Sequence, residues 1–200
     1  ANVGDHDVTL SVTDAGGLSD EQSFTITVTN TADAPRITST AKTAAAEDTA
    51  FSYVFTAADD DAGSSLTYSK VVAPDWLSFD ASTGVLSGTP TNSDVGDHDV
   101  TLRATDDSDL TTDQSFTITV SNTNDTPSVI SNPSAEAYVN HSYSYILNAQ
   151  DVDLNDTVLI ELISSPGWLV LTDNNLLTGK PSEADVGEHA VKFEITDSFG

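Results

Sequence analysis

Phe116-Thr117-Ile118-Thr119-Val120 sets three apolar residues against two threonines in strict alternation. Successive side chains of a strand point to opposite faces, so the stretch predicts one face of Phe116, Ile118 and Val120 backed by threonines. Threonine outside and branched or aromatic residues inside suit a half-buried antiparallel sheet. The same period of two runs through Val8, Leu10 and Val12, Phe51, Tyr53 and Phe55, Val100, Leu102 and Ala104, and Val191, Phe193 and Ile195. No segment carries a helical stripe. Gly63, Gly84, Gly88, Pro90, Gly96 and the Asn-Asp stretches interrupt the strands every ~8–12 residues, the rhythm of a β-sandwich.

The alternating stretch is itself a repeat. Phe24-Thr25-Ile26-Thr27-Val28 precedes it by 92 residues, and Asn2-Val3-Gly4-Asp5-His6-Asp7-Val8-Thr9-Leu10 stands at the same offset from Asp94-Val95-Gly96-Asp97-His98-Asp99-Val100-Thr101-Leu102. A weaker third copy begins at Asp185-Val186-Gly187-Glu188-His189 and runs to Ile195-Thr196-Asp197. A fixed period of one small domain means a tandem array. One period reads as a strand pair over 36–57, an acidic turn at 59–65, then strands at 66–72, 85–89, 100–105 and 114–120. About seven strands per period predict tandem immunoglobulin-like antiparallel β-sandwiches, an all-β chain. The expected division is a C-terminal repeat fragment at 1–34, a complete repeat at 35–126 and a repeat lacking its last strand at 127–200. The boundaries fall at Asn-Asp-Pro stretches, where proline stiffens the linker. The chain is accordingly expected to be an internal segment of a longer array.

Thirty-two acids against six bases give a net charge of −26. That argues against nucleic acid and anionic membranes, which need basic surface. It leaves a solvated acidic surface, or carboxylates gathered for a hard cation. There is no cysteine, hence no disulfide or thiolate site. No apolar run reaches ~18 residues, so no membrane insertion is expected.

The carboxylates are clustered. Asp59-Asp60-Asp61 is echoed by Asp151-Val152-Asp153, and Asp106 by Asp14 and Asp197. Asn122-Thr123-Asn124-Asp125 is echoed by Asn30-Thr31-Ala32-Asp33. Anions this close are costly without a cation among them. Calcium takes six to eight oxygens from carboxylates, Asn amides and backbone carbonyls. The alternative is that these residues merely cap and bend loops.

The stretch Ala57-Ala58-Asp59-Asp60-Asp61-Ala62-Gly63-Ser64-Ser65-Leu66-Thr67-Tyr68 resembles the Asp-x-Asp segment of cadherin repeats, and Asn122-Thr123-Asn124-Asp125-Thr126-Pro127 resembles their interdomain linker. Pro74-Asp75-Trp76-Leu77-Ser78-Phe79-Asp80, with Thr83-Gly84-Val85-Leu86-Ser87-Gly88-Thr89-Pro90, is similar to the dystroglycan-type cadherin-like subfamily of large bacterial surface proteins and adhesins. The resemblance implies Ca2+ at each junction. The first junction would use Asn30 and Asp33 with Asp59, Asp61 and Asp106. The second would use Asn122, Asn124 and Asp125 with Asp151, Asp153 and Asp197, joined by Glu47 and Asp94 from the preceding repeat. Ala32 stands where Asn124 stands in the second linker, and the leading fragment has no counterpart of Glu47. The first site is therefore expected to bind more weakly.

Trp76 and Trp168 each follow a proline in a Pro-x-Trp-Leu turn. They read as tryptophans pinning two sheets together, with a carbohydrate-binding platform as the alternative. His6, His98 and His189 hold equivalent positions at a strand start and read as surface strand residues. No nucleophile motif or phosphate loop is present, and no enzymatic activity is expected. The resulting expectation is a calcium-stiffened extender of an extracellular or cell-surface adhesin-type protein, partnered by its neighbouring repeats. A glycan is the alternative partner. Homotypic head-to-tail assembly, with residues 23–28 completing the last repeat of another molecule, is the third reading.

Overall fold

The structure is a computed structural model and describes residues 2–198. The chain is all-β, a tandem of immunoglobulin-like, cadherin-like antiparallel β-sandwiches. In chain order the strands are β1 (Gly4–Thr13), β2 (Ser19–Val28), β3 (Arg36–Ile37), β4 (Ala44–Ala46), β5 (Phe51–Val54), β6 (Ala57–Ala58), β7 (Thr67–Val72), β8 (Leu77–Asp80) and β9 (Val85–Gly88). They continue with β10 (Gly96–Thr105), β11 (Thr111–Ser121), β12 (Ser128–Val129), β13 (Tyr143–Ile146), β14 (Ala149–Gln150), β15 (Leu159–Ser164), β16 (Leu169–Leu171), β17 (Leu176–Gly179) and β18 (Lys192–Thr196). Single 3-10 turns occupy Asn92–Asp94 and Glu183–Asp185.

Two compact units emerge. One comprises 1–43, 52–88 and 98–118; the other comprises 44–51, 89–97 and 119–200. Glu47 and Asn92, from the first full sequence period, thus group with the second linker and the residues after it.

The sheets repeat as the sequence does. Strand order β5-β9-β8 is echoed by β13-β17-β16, the pair β3-β6 by β12-β14, and the pair β7-β10 by β15-β18. One difference stands out. β10 has β7 on one side and β11 on the other, and β11 runs parallel to β4 through Thr119↔Ala44, Val120↔Ala45 and Ser121↔Ala46. Among the described residues, β18 has only β15 beside it.

Alternation produces the first unit's core. Tyr53, Phe55, Leu77, Leu86, Val100, Leu102, Ala104 and Ile118 are all buried. Tyr53 meets Phe116 edge-on at 5.7 Å, and Phe55 meets Tyr68 at 5.2 Å. In the second unit Tyr145, Leu147, Leu169 and Leu177 form the buried cluster, while Phe193 and Ile195 of β18 are only half-buried. Gly88 and Gly179 occupy matching positions opposite Leu77 and Leu169. A Cβ at either would stand 1.9 Å from the carbonyl oxygen of Trp76 or Trp168.

β10 and β11 begin earlier than alternation of apolar residues predicts, at Gly96 and Thr111 rather than near 100 and 114. For β10 the reason is an Asp–Thr ladder on the outer face, and for β11 it is Asp113, which is paired with Arg103 of β10 at 2.7 Å. Thr119 Oγ1 donates to Asp97 at 2.7 Å and Thr117 Oγ1 to Asp99 at 2.9 Å, as Thr27 does to Asp5 at 2.7 Å and Thr25 to Asp7 at 2.8 Å. Among the histidines, His6 and His98 lie in strands, whereas His189 lies in a loop. His98 is half-buried rather than a surface residue, with its ring edge-on to Trp76 at 6.0 Å.

The β8–β9 turn is held by Asp80. Its Oδ1 accepts from the Ser82 N–H at 2.9 Å and the Ser82 hydroxyl at 2.6 Å. The hydroxyls of Ser82 and then Thr83 hold this carboxyl below its usual value of 3.8. A depressed folded pKa stabilises above the unfolded value and is lost as pH falls through the folded one. The melting-temperature gap between wild type and Asp80→Asn is therefore expected at neutral pH and should close below about pH 4. A gap that persists unchanged in acid would contradict this role.

Candidate metal centre

The linker at 122–127 has no regular structure, because Pro127 cannot donate to a ladder and the Asn and Asp residues before it favour local turns. The Asp151–Asp156 turn closes through the Asp156 N–H donating to the Asp153 carbonyl at 3.2 Å. Its left-handed position is filled by Asn155 at φ +66°. Asparagine tolerates that region where most side chains do not.

Five carboxylates converge here. Oxygens of Glu47, Asp125 and Asp153 lie within 4.8 Å of one another, and so do those of Asp151, Asp153 and Asp156. Asp153 belongs to both groups. Glu47 is 0 % exposed and Asp153 6 %. Glu47 Oε1 accepts from the Thr123 N–H at 2.5 Å, while buried Oε2 has no partner. The Asp125 N–H donates to Asp153 Oδ2 and the Asp153 N–H to Asp151 Oδ1, both at 2.8 Å. Asp151 Oδ2 and Asp156 Oδ2 are likewise buried without a partner. The side-chain amide of Asn92 donates to Asp125 at 2.8 Å and Asp153 at 3.2 Å.

Magnitude shows what this arrangement wants. Two carboxylates 4.8 Å apart repel by roughly 3 kcal/mol at an effective dielectric of about 20. Among the described residues, backbone N–H groups and one neutral amide are the groups donating to Glu47, Asp125 and Asp153. Buried oxygens without partners are expensive unless something cationic satisfies them. The donors are all hard oxygens. Calcium binds such oxygens at about 2.3–2.6 Å, so ligands on opposite sides of one ion stand about 5 Å apart. The spread within each of the two groups fits one ion. Glu47, Asp125, Asp151, Asp153 and Asp156 would hold calcium, and Asn92 would join by turning its amide to present oxygen.

The other expected ligands are placed differently. Asn124 donates to Asp197 Oδ2 at 3.1 Å, and Asn122 is exposed in the linker. Asp94 caps the 3-10 turn by accepting from the Thr91 N–H at 2.9 Å and lies in neither acidic group; Asn92, two residues earlier, enters instead. At the first linker, Asn30 Nδ2 donates to Asp61 Oδ1 at 2.5 Å and the Asp33 N–H to Asp61 Oδ2 at 2.9 Å. These two bonds hold the Asp61 carboxyl below its ordinary range. The Asp61 N–H donates to Asp59 Oδ1 at 2.8 Å, and Asp59 Oδ2 is buried without a partner. Asp106 is buried, with Oδ1 spent on the Ser108 and Leu110 N–H groups, each at 2.8 Å. Among the described residues no three acids close to 4.8 Å at this linker. Ser64 stands where Asp156 stands, one carboxylate fewer. Asn92 and Asp156 were not anticipated from sequence, although comparing Asp61-Ala62-Gly63-Ser64 with Asp153-Leu154-Asn155-Asp156 would have flagged the latter.

Trp76 and Trp168 are half-buried. Trp168 is held edge-on by Tyr143 at 6.1 Å and His189 at 6.3 Å. That placement matches sheet-pinning indoles better than an open sugar platform.

Solved structures share the fold. PcdhgB3 EC1-4 aligns over 96 % of this chain and 53 % of its own at 19 % identity, with a TM-score of 0.63. The protocadherin gammaB7 EC3-6 cis-dimer structure aligns over 96 % and 54 % at 20 % identity and 0.56. Protocadherin gamma B2 extracellular cadherin domains 3-6 align over 96 % and 56 % at 19 % identity and 0.55. The chain thus spans about half the length of these structures. No curated protein matches it. Among the described residues no helix is long and apolar enough to cross a membrane. The He_PIG family, described as "Putative Ig domain", matches residues 34–121 and 126–200, and the chain belongs to that family of Ig-like repeats.

Proposed function

We propose that this chain is a calcium-stiffened extender of a secreted or cell-surface adhesin-type protein, built of dystroglycan-type cadherin-like repeats and without catalytic activity. The repeats would run 35–126 and 127–200 behind a fragment at 1–34. The observation carrying this reading is Glu47, a wholly buried carboxylate with an unpartnered oxygen, set within 4.8 Å of Asp125 and Asp153. In the sequence frame Glu47 precedes the linker, Asp125 is in it and Asp153 follows it. One cation held by all three ties consecutive repeats together. Without it, the carboxylates repel and the linker loosens.

The first test is a thermal melt with calcium titrated after exhaustive chelation, and magnesium as control. Saturation at a hundred times Kd contributes about 2.7 kcal/mol, which for a unit of this size is a rise on the order of 10 °C. Magnesium demands shorter, octahedral contacts and should shift the melt less. A melt indifferent to calcium would reduce these carboxylates to solvated turns.

A further inference from the structure

The acidic loops of the two repeats are built on one backbone. The Asp61 N–H donates to Asp59 Oδ1 and the Asp153 N–H to Asp151 Oδ1, both at 2.8 Å. The Ser64 N–H closes onto the Asp61 carbonyl and the Asp156 N–H onto the Asp153 carbonyl, both at 3.2 Å. The residue before each closure is left-handed, Gly63 at φ +88° and Asn155 at φ +66°. Asp59 Oδ2 and Asp151 Oδ2 are both buried without a partner. Two carboxylates of each loop thus stand alike. Among the described residues, however, the loop at 151–156 alone brings a third carboxylate oxygen within 4.8 Å of them.

The difference is one hydrogen bond whose partners have changed places. In the first repeat the Ser64 hydroxyl donates to Asp107 Oδ1 at 3.2 Å. In the second, Asp156 stands where Ser64 does and Ser198 stands where Asp107 does. There Asp156 Oδ1 accepts from the Ser198 N–H at 3.0 Å and from the Ser198 hydroxyl. Serine donates and aspartate accepts in both repeats, between the acidic loop and the turn that follows β10 or β18, so the bond is a property of the repeat. What the exchange moves is the carboxylate. In the first repeat it sits on Asp107, which is exposed. In the second it sits on Asp156, whose Oδ1 is taken by Ser198 and whose Oδ2 is buried without a partner. Asp156 is also the residue that groups with Asp151 and Asp153.

We propose that this exchange decides which acidic loop takes calcium, with Ser198 as the positioning residue. The inference rests on the calcium reading of the site and goes beyond it by saying why the two loops differ. An ionised carboxylate offers two oxygens. A donor fixed to one of them sets the rotamer and aims the other, and it does so without competing for the ion. Ser198 does this for Asp156 from outside the coordination shell. The loop at 151–156 then presents three carboxylates to one cation. The loop at 59–64 presents two, because the hydroxyl of Ser64 is engaged by Asp107 and brings no charge, so this loop serves as a turn. Calcium affinity is tuned by the number of charged ligands. Composition is blind to the exchange, since each pair holds one serine and one aspartate.

The test is calorimetric titration of the whole chain with calcium, alongside melts in chelator that show each variant to be folded. The reverse exchange, Asp156→Ser with Ser198→Asp, keeps the bond and takes the third carboxylate away. It should bind calcium at least about tenfold more weakly, with its melt in chelator unchanged or higher because a repulsion is gone. The forward exchange, Ser64→Asp with Asp107→Ser, should add a calcium site to the first loop. Ser198→Ala should cost about tenfold in affinity with little change of the melt in chelator, and Ser198→Thr should restore it. A merely structural serine would lower the melt and leave the affinity alone. A wild type that binds calcium, beside a reverse exchange that binds it equally well, overturns this proposal and leaves the calcium reading standing. A wild type that binds none overturns both. A folded forward exchange that gains no calcium also overturns the proposal, and should that variant fail to fold, the reverse exchange decides.

Discussion

Glu47→Gln is expected to abolish most of the calcium-induced rise in melting temperature and, at the same time, to raise the melting temperature of the chelated protein. The two signs come from one geometry. Glutamine keeps the oxygen that accepts from Thr123 and replaces the unpartnered Oε2 by an amide able to donate toward Asp125 or Asp153. Two charge–charge repulsions disappear, and a donor arrives where oxygens lacked one. Discounted for relaxation, the gain in chelator is about 1–3 kcal/mol. With calcium the same change removes a charged ligand, and affinity should drop by at least about tenfold, as expected for a lost charge-assisted contact. Calorimetric titration gives the affinity and paired melts give the sign. A variant that still responds fully to calcium would remove Glu47 from the ion. A variant less stable than wild type in chelator would mean that Glu47 is a structural hydrogen-bond acceptor only.

Gly179→Ala should be the most damaging single methyl in the chain, with Gly88→Ala its equal in the first unit. The added Cβ would stand 1.9 Å from the backbone carbonyl of Trp168 or Trp76, with indole Cε3 at 3.1 Å in each case. A backbone atom cannot swing aside as a lysine tip can. Either β17 moves away from β16, breaking Leu169↔Gly179, or the Pro-x-Trp-Leu turn deforms and drags the indole with it. Overpacking against fixed backbone costs about 3 kcal/mol or more. Denaturant melts of each variant should show it, and the loss should be alike at the two positions because the contact is the same. A cost under about 1 kcal/mol would mean that this turn is softer than its packing indicates.

The strands were legible because alternation is written directly in side chains. Phe116, Ile118 and Val120 fall on one face, and the repeat showed where the pattern recurs. Strand starts were less legible. Asp97 and Asp99 look like loop residues, yet they belong to β10 because Thr117 and Thr119 stand across from them to donate. Alternation counts apolar residues and is blind to a polar ladder on the wet face. The acidic centre was partly legible. Asp125, Asp151, Asp153 and Glu47 were expected from motif and resemblance, and the structure gathers all four. Asp94 was expected as well, but the 3-10 turn commits it to capping Thr91 and aims Asn92 inward instead. One residue's rotation around a short helical turn decides which side chain reaches in, and no period in the sequence encodes it. Asp156 enters through the left-handed Asn155, a backbone event that composition does not announce.

Asp153 has its Oδ2 on the Asp125 N–H and its Oδ1 on Asn92, and it stands in both acidic groups. An ion settling into either group would hold this shared side chain still and draw off its charge, so the neighbouring group meets a changed host. Positioning is gained and attraction is lost, and the balance between them sets the coupling between occupancies. Where positioning dominates, such a linker answers calcium as a threshold rather than a dial. An array of these linkers would then be slack in dilute calcium and taut beyond a narrow concentration range, sensing its medium through one aspartate per joint.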